Sequence, residues 1–317
     1  MQILDHEKKI LENELALRQL KDQNQKGSVW SEQEIKNLED QLEKAKKEIY
    51  ENLSSMDRIA ISRHAERPKA LDYITNLFTQ FEEIHGDRLF RDDRAIVCGL
   101  GYLGPQKCVV IAQEKGSDTD SRLQRNFGMT YPEGYRKALR VMKLAEKFDL
   151  PIITFVDTPG AYPGLEAEER GQGWAIAENL KQMSTLTVPI VSILIGEGCS
   201  GGALGIAVAD RVIMLEHAYY SVISPEGCSS ILWKDPSCKE LAAKALKLHP
   251  EDLLPLGIID GIIEEPLGGA HLDPASMYER VKGRLVFEVD ALIDLSKDDL
   301  IESRYKKYRK IGKFIED

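Results

Sequence analysis

The first 57 residues contain no proline and a single glycine, Gly27. Lacking the two residues that most readily interrupt a helix, this stretch excludes a loop-rich opening and predicts long helices. Nowhere in the 317 residues does a window reach the roughly 18 consecutive apolar residues of a membrane span, and the N-terminus is charged, without a signal-like apolar run. Cysteine is scarce: Cys98, Cys108, Cys199, Cys228 and Cys238 form no C-x-x-C pair and are odd in number. A disulfide framework is thereby excluded in a chain this long, and reduced thiols in a cytoplasm are expected. The nearest pair, Cys228 and Cys238, has no histidine at metal spacing, so these thiols read as small buried hydrophobes and no metal is expected. An excess of positive charge is missing too. The net charge of −10 excludes a dedicated nucleic-acid binder, though a local basic patch could still hold a phosphorylated ligand.

What is present is ordinary globular composition, 43% apolar and 30% charged, enough for one or two domains. In the N-terminal part, Ser31 and Glu34 of "SEQE" form a capping box, followed by Ile35, Leu38, Leu42, Ala45 and Ile49 along one helical stripe. Ile10, Leu11, Leu15, Leu17 and Leu20 give a looser stripe before it. "NQKGSVW" is therefore expected to turn an antiparallel helical hairpin over residues 1–57, a packing or assembly arm without chemistry. From about residue 90 short β-rich runs alternate with helical ones: "AIVCGLGYL", "CVVIAQE", "PEGYRKALRVMKLAEKFD", "PIITFVD", "EERGQGWAIAENLKQMSTL" and "VPIVSILI". Alternation of this kind predicts an α/β core. In the first of these helices Pro132 and Glu133 open the first turn, and Ala138, Val141, Met142, Leu144 and Ala145 face inward.

The stretch "LIGEGCSGGALGIAVADRVIMLE" holds Gly196, Gly198 and Gly201 as G-x-G-x-x-G, with Glu216 twenty positions after the first glycine. Strand, glycine turn and helix in that order suit a dinucleotide fingerprint. Two features oppose it: the fingerprint normally opens its domain, and here only about ten residues separate Ser200 from the next strand. Gly201, Gly202, Ala203 and Gly205 leave the first turns of that helix nearly bare of side chains, as they would be if something approaches the backbone, an anion or a developing oxyanion, or if the helix packs tightly on a sheet. A second turn, "FVDTPGAYPGLEAEERGQG", repeats the form with Gly160 and Gly164. Two bare turns at the ends of neighbouring strands suggest one pocket with backbone donors from both, the recipe for an oxyanion hole.

With "QEKG", "NFGMTYPEGYRKALR", "FVDTPGAYPGLEAEERGQGWAIAENL", "EHAYYSVISPEGCSSILWKD" and the flanking "RHAERPKALDYI", "HGDRLFRDDRAIVCGL" and "GIIDGIIEEPLGGAHLDP", the chain resembles the carboxyltransferase alpha subunits of bacterial acetyl-CoA carboxylase, within the crotonase/ClpP superfamily. The resemblance implies an α/β fold, a crotonase-like ββα superhelix core over residues 58–285 with the N-terminal α-helical hairpin before it and a C-terminal helical segment over 286–317. It implies transfer of a carboxyl group from carboxybiotin, presented by a biotin carboxyl carrier protein rather than bound covalently, to acetyl-CoA, giving malonyl-CoA for fatty-acid biosynthesis. A beta subunit is implied as partner in an alpha2beta2 heterotetramer. Neither a biotin-carrier A-M-K-M motif, an ATP-grasp signature nor a four-cysteine zinc ribbon occurs in this chain.

Carried onto this sequence, Gly201 and Gly202 match the helix-start oxyanion amides, and Gly160 and Ala161 the matching first loop. Gly164, Gly198, Ala203 and Glu226 are expected around the substrate. Leu204 stands where hydratases of the superfamily keep a glutamate, so the paired acids that add water are incomplete. Glu226 either orients substrate or is a satisfied structural carboxylate. His85, His217 and His271 lack a nucleophile partner and read as structural. Arg122, Arg125, Arg136, Lys137 and Arg140 read as a solvated helix face, with contact to CoA phosphates or the carrier as the other reading. The rival function is a crotonase-fold acyl-CoA enzyme acting alone, such as a decarboxylase.

Overall fold

A computed structural model describes residues 3–26 and 30–312. Eight strands form one sheet: β1 (Thr79–Glu83), β2 (Ile96–Leu103), β3 (Gln106–Gln113), β4 (Ile152–Thr158), β5 (Ile190–Cys199), β6 (Arg211–Leu215), β7 (Tyr219–Ser221) and β8 (Gly261–Ile263). Their order is β1-β2-β3-β4-β5-β6-β8, with β7 paired to the far end of β5. β1, β2 and β3 form an antiparallel meander, and from β3 onward every pairing is parallel. Parallel strands need crossovers. Helices Pro132–Lys147, Gln172–Thr185 and Ser200–Ala207 supply them between β3 and β4, β4 and β5, and β5 and β6. Covered on both faces, β4 and β5 are buried along their whole length, which is why they read as apolar runs rather than alternating ones. Where a polar pair intrudes it is satisfied: Thr154 Oγ1 donates to Ser192 Oγ at 2.8 Å across the two strands.

Helix Pro132–Lys147 buries Ala138, Val141, Met142 and Ala145 as its stripe predicts, and Leu144 lies half-buried beside them. The helix expected to begin at Glu168 is two: Leu165–Glu169, then Gln172–Thr185, parted where Gly171 takes φ +79°. β1 and β8 carry no strand signal in the sequence, being short and polar or glycine-led.

At the N-terminus, helices Lys8–Lys26 and Glu32–Glu51 run antiparallel, with the Lys46–Glu14 pair at 2.5 Å and Lys21–Glu39 nearer the far end. The turn expected at Gly27 to Val29 lies outside the described residues. The capping box forms as read: Glu34 N–H donates to Ser31 Oγ at 3.2 Å and Ser31 N–H to Glu34 Oε2 at 2.8 Å. Leu15 departs from its stripe and is exposed, whereas Ile10 is buried. At the other end, the boundary drawn at 285 falls inside one continuous helix, Pro274–Ile293, whose Met277, Val281, Leu285 and Val289 are all buried. The final helix, Lys297–Arg309, is locked to the sheet by Arg304. Its guanidinium is 1% exposed, pairs with both oxygens of Asp210 at 2.8 Å, and donates to the carbonyls of Met183, Leu186 and Val188. No helix among the described residues is long and apolar enough to cross a membrane.

Candidate active site

β4 and β5 are parallel neighbours, in register from Ile152/Ile190 to Val156/Leu194 and shifted by an irregularity before Thr158/Gly198, so the chain leaves both strands at one end of the sheet. Ligands of open parallel sheets collect outside such carboxyl ends. The opening glycines prove to be of two kinds. Gly196 and Gly198 still belong to β5, contrary to the turn expected of them. Their missing side chains make room for neighbours: a β-carbon on Gly196 would sit 2.5 Å from Asp157 Oδ1, and one on Gly198 2.6 Å from Leu194 Cδ2. Gly198 is buried by this packing, and Ala203 is fully buried in the main core. Both were expected at the substrate. Their small size serves close packing instead.

Gly201 and Gly202 open helix Ser200–Ala207, whose first residue turns left-handed at φ +49° to leave the strand. The first N–H groups of a helix have no intrahelical acceptor. A β-carbon on Gly202 would lie 2.5 Å from both Ala161 N and Gly160 C, so the loop after β4 rests directly on the α-carbon of Gly202. On Gly201 it would meet only Ile176, at 3.6 Å. The first turn is anchored through Gly202 O, which accepts from Gln113 Nε2 at 2.7 Å and Tyr135 OH at 3.2 Å.

In the facing loop Gly160 N–H is already used, donating to Thr158 Oγ1 at 3.1 Å. Tyr162 N–H donates to Thr130 O at 3.0 Å. Ala161 N–H lies between them against Gly202 and finds no acceptor among the described residues. Thus the structure brings Gly160, Ala161, Gly201 and Gly202 together, and of the first loop's pair Ala161 holds the unused donor. Gly164 caps helix Leu165–Glu169, where a side chain would collide with the Tyr162 ring.

Beside this junction lies a charge network that the spacing arguments miss. Glu197, 6% exposed, accepts from Arg63 Nε at 2.7 Å, Lys115 Nζ at 2.5 Å and Tyr219 OH at 2.6 Å. Lys115 also pairs with Asp157 at 2.6 Å, and Asp157 Oδ1 accepts Glu197 N–H at 2.9 Å. Burial opposes the charge on Glu197, but Lys115 and Arg63 outweigh it and hold the carboxyl at about 2. Glu226 joins from helix Pro225–Leu232, accepting Arg63 Nη1 at 2.7 Å; burial opposes its ionisation, and the Arg63 hydrogen bond lowers its pKa on balance. Its carboxylate is a tied member of this network. The signal for Glu197 and Asp157 was an acid in each otherwise apolar strand end, "GEG" and "FVD"; Arg63 and Lys115 carried none beyond charge.

The basic cluster is not a solvated face. Arg136 pairs with Asp87 at 2.8 Å, fully buried Lys137 with Asp92 at 2.6 Å, and Arg125 and Arg140 donate to the carbonyls of Arg94 and of His85 and Gly86. Arg122 alone of the five turns toward the site, lining a cavity with Lys115 and Asp157. Of the histidines, His85 lies on the surface near Asp92, His271 stacks on His64 with ring centres 3.9 Å apart, and burial lowers His217 to about 4. Glu216, twenty residues after Gly196, accepts Glu265 N–H at 2.8 Å.

Residues 3–312 match the family described as acetyl co-enzyme A carboxylase carboxyltransferase-like. The acetyl-coenzyme A carboxylase carboxyl transferase subunit alpha of Protochlamydia amoebophila is 57% identical over 316 residues, covering 100% of both chains. That of Chlamydia pneumoniae is 55% identical over 312 residues, 98% of this chain and 96% of its own. Among solved structures, a transcarboxylase 12S with methylmalonyl-coenzyme A bound superposes with TM-score 0.57 at 17% identity, over 72% of this chain and 42% of that one. A Pseudomonas malonate decarboxylase hetero-tetramer in complex with coenzyme A gives 0.57 at 15%, over 69% of this chain and 87% of that one. At such identity these two establish a shared crotonase-like fold.

Proposed function

The chain belongs to the acetyl co-enzyme A carboxylase carboxyltransferase-like family, and on that premise we propose how its two glycine turns carry out carboxyl transfer. Its function is that of a carboxyltransferase alpha subunit, a transferase of fatty-acid biosynthesis acting with a beta subunit, in preference to a decarboxylase acting alone. The donor in our reading is carboxybiotin presented by a carrier protein, the acceptor is acetyl-CoA, and the product is malonyl-CoA.

Transfer breaks the donor's carbon–nitrogen bond and a methyl carbon–hydrogen bond of acetyl-CoA, forms a carbon–carbon bond and leaves the proton on the donor nitrogen, and an oxygen anion must be held meanwhile. Amides of Gly201 and Gly202 at the helix start, with that of Ala161 across the junction, serve as fixed donors to that developing charge. Preorganised donors of this kind need no reorientation during reaction. The observation that carries the proposal is the seating of the Ala161 amide on the bare α-carbon of Gly202, which brings donors from two strand ends to one place. Lys115 and Arg63, held by Glu197 and Asp157, fix the floor beneath and act as positioning residues. The beta subunit supplies most of the acetyl-CoA site, so a cleft between two chains follows, with alpha2beta2 as the assembly. Residues 1–57 serve assembly, and five free thiols suit a cytoplasmic setting.

Mixing the purified chain with acetyl-CoA and a carboxybiotinylated carrier, with and without a beta-type subunit, tests this. Malonyl-CoA is expected only when the beta subunit is present. Equal turnover by the chain alone overturns the shared-site reading.

A further inference from the structure

Thr158 closes β4 and is fully buried. A buried hydroxyl is costly unless it is hydrogen-bonded, and it has one proton to donate and two lone pairs to offer. Thr158 spends them on the loop that follows. Its Oγ1 accepts Gly160 N–H at 3.1 Å, and its proton has two carbonyls within reach, Gly160 O at 2.8 Å and Gly128 O at 2.7 Å.

Gly160 O and Ala161 N–H belong to one peptide unit. Because that unit is planar and trans, its carbonyl and its N–H point in opposite directions. Holding Gly160 O against Thr158 therefore turns Ala161 N–H away from the threonine, and the nitrogen so turned is the atom that meets Gly202. Nothing intrinsic to Gly160 imposes this. It sits at φ +148°, where an L side chain rarely goes, and a glycine lets the peptide after it rotate more widely than any other residue does. The far side of Ala161 is held separately: Tyr162 N–H donates to Thr130 O at 3.0 Å, and Gln172 Nε2 donates to Thr130 O and Tyr162 O at 2.8 and 3.0 Å. On the near side the tie is the Thr158 hydroxyl.

We propose that Thr158 is a positioning residue for carboxyl transfer: its hydroxyl fixes the sense of the Gly160–Ala161 peptide and so aims the Ala161 amide at the developing anion. The inference rests on the reading of Ala161 and Gly202 given above, and adds that the donor of this loop is set by a side chain beneath it. A methyl in place of the hydroxyl keeps the shape of the side chain and removes its hydrogen bonds, which leaves the peptide free to turn.

The test uses the chain reconstituted with a beta-type subunit and measures kcat and the KM values for acetyl-CoA and the carboxybiotinylated carrier. Thr158→Val is expected to lower kcat by about tenfold to a hundredfold with both KM values within about twofold of the parent, the mark of an interaction made in the transition state. Thr158→Ser returns the hydroxyl and should recover most of the loss. Thr154→Val removes a hydroxyl equally buried in the same strand, where it meets Ser192 Oγ, and should lower stability without changing kcat. In a Gly202→Ala background, where the loop is already displaced, Thr158→Val should slow transfer by less than about threefold more, since two changes to one donor do not add. Parent kcat in an assembled Thr158→Val, equal losses in Thr158→Val and Thr158→Ser, an equal loss in Thr154→Val, or a fully multiplicative loss in the double variant overturns the inference. If Thr158→Val does not assemble with the beta subunit, Thr158→Ala takes its place with the same outcomes. Failure of the underlying reading looks different: Gly202→Ala itself then turns over at the parent rate.

Discussion

Ala161 N and the α-carbon of Gly202 are in direct contact: the position a β-carbon would take on Gly202 is 2.5 Å from that nitrogen. Gly202→Ala must therefore push the loop after β4 away and part the donors of the two turns. Carboxyl transfer by the reconstituted complex should fall by about a hundredfold or more, the effect of losing an oxyanion donor, ~3 kcal/mol. Gly201→Ala, which meets only Ile176 at 3.6 Å, should stay close to the parent rate. Steady-state kinetics of both variants decide it, and equal losses would count against the contact as the sensitive point.

Arg304 and Asp210 give a stability prediction. Arg304→Met leaves Asp210 as an uncompensated buried charge and strips donors from three carbonyls, so unfolding free energy should drop by about 3–5 kcal/mol. Adding Asp210→Leu should recover part of the loss. Denaturant titration of the single and double variants measures it; a single variant as stable as the parent refutes it.

Acid should destabilise the chain in two stages. Burial lowers His217 and His249 from 6.5 to about 4, so the unfolded chain takes up protons that the folded one refuses. Stability is thus whole above pH 6.5 and is lost as pH falls toward 4. Glu197 and Glu265 sit at about 2 instead of 4.5: burial opposes their charge, but Lys115 with Arg63, and Arg67, prevail. Their contribution is present above pH 4.5 and disappears as pH falls toward 2. Melting temperatures from pH 8 to 3 should show both slopes, and His217→Gln with His249→Gln should flatten the upper one alone.

Glu216→Ala tests the dinucleotide alternative. Because Glu216 accepts Glu265 N–H and lies outside the junction, its loss should lower stability by about 1–3 kcal/mol while sparing turnover. Calorimetry with NAD should show no binding to either form. Micromolar binding abolished by the substitution would restore the fingerprint reading.

The glycines show what could and could not be read from the chain. Gly201 and Gly202 were legible because a bare helix start is a local property of consecutive residues. Gly196 and Gly198 were misplaced into the turn because their cause is tertiary: the Asp157 carboxylate, the Leu194 side chain and β7 occupy the space of their side chains. The cationic partners of Glu197 were invisible for the same reason. Arg63 lies 134 residues from Glu197 and Lys115 lies 82 away, so no spacing rule connects them. Long periodic helices and doubly buried strands were found, whereas three-residue β8 exists only because β6 offers it an edge.

Asp210 must wait for Arg304, which is made 94 residues later. During synthesis the segment just before β6 emerges with a carboxylate aimed into the future interior, and the carbonyls of Met183, Leu186 and Val188 wait for their Arg304 donors until helix Lys297–Arg309 arrives. A nascent or broken chain ending before Arg304 exposes an open charge in its core, the kind of incompletely packed species that chaperones and proteases sort. Helix Lys297–Arg309 thereby closes the core late: the corner between helix Ser200–Ala207 and β6 is neutralised only in molecules translated through Arg304.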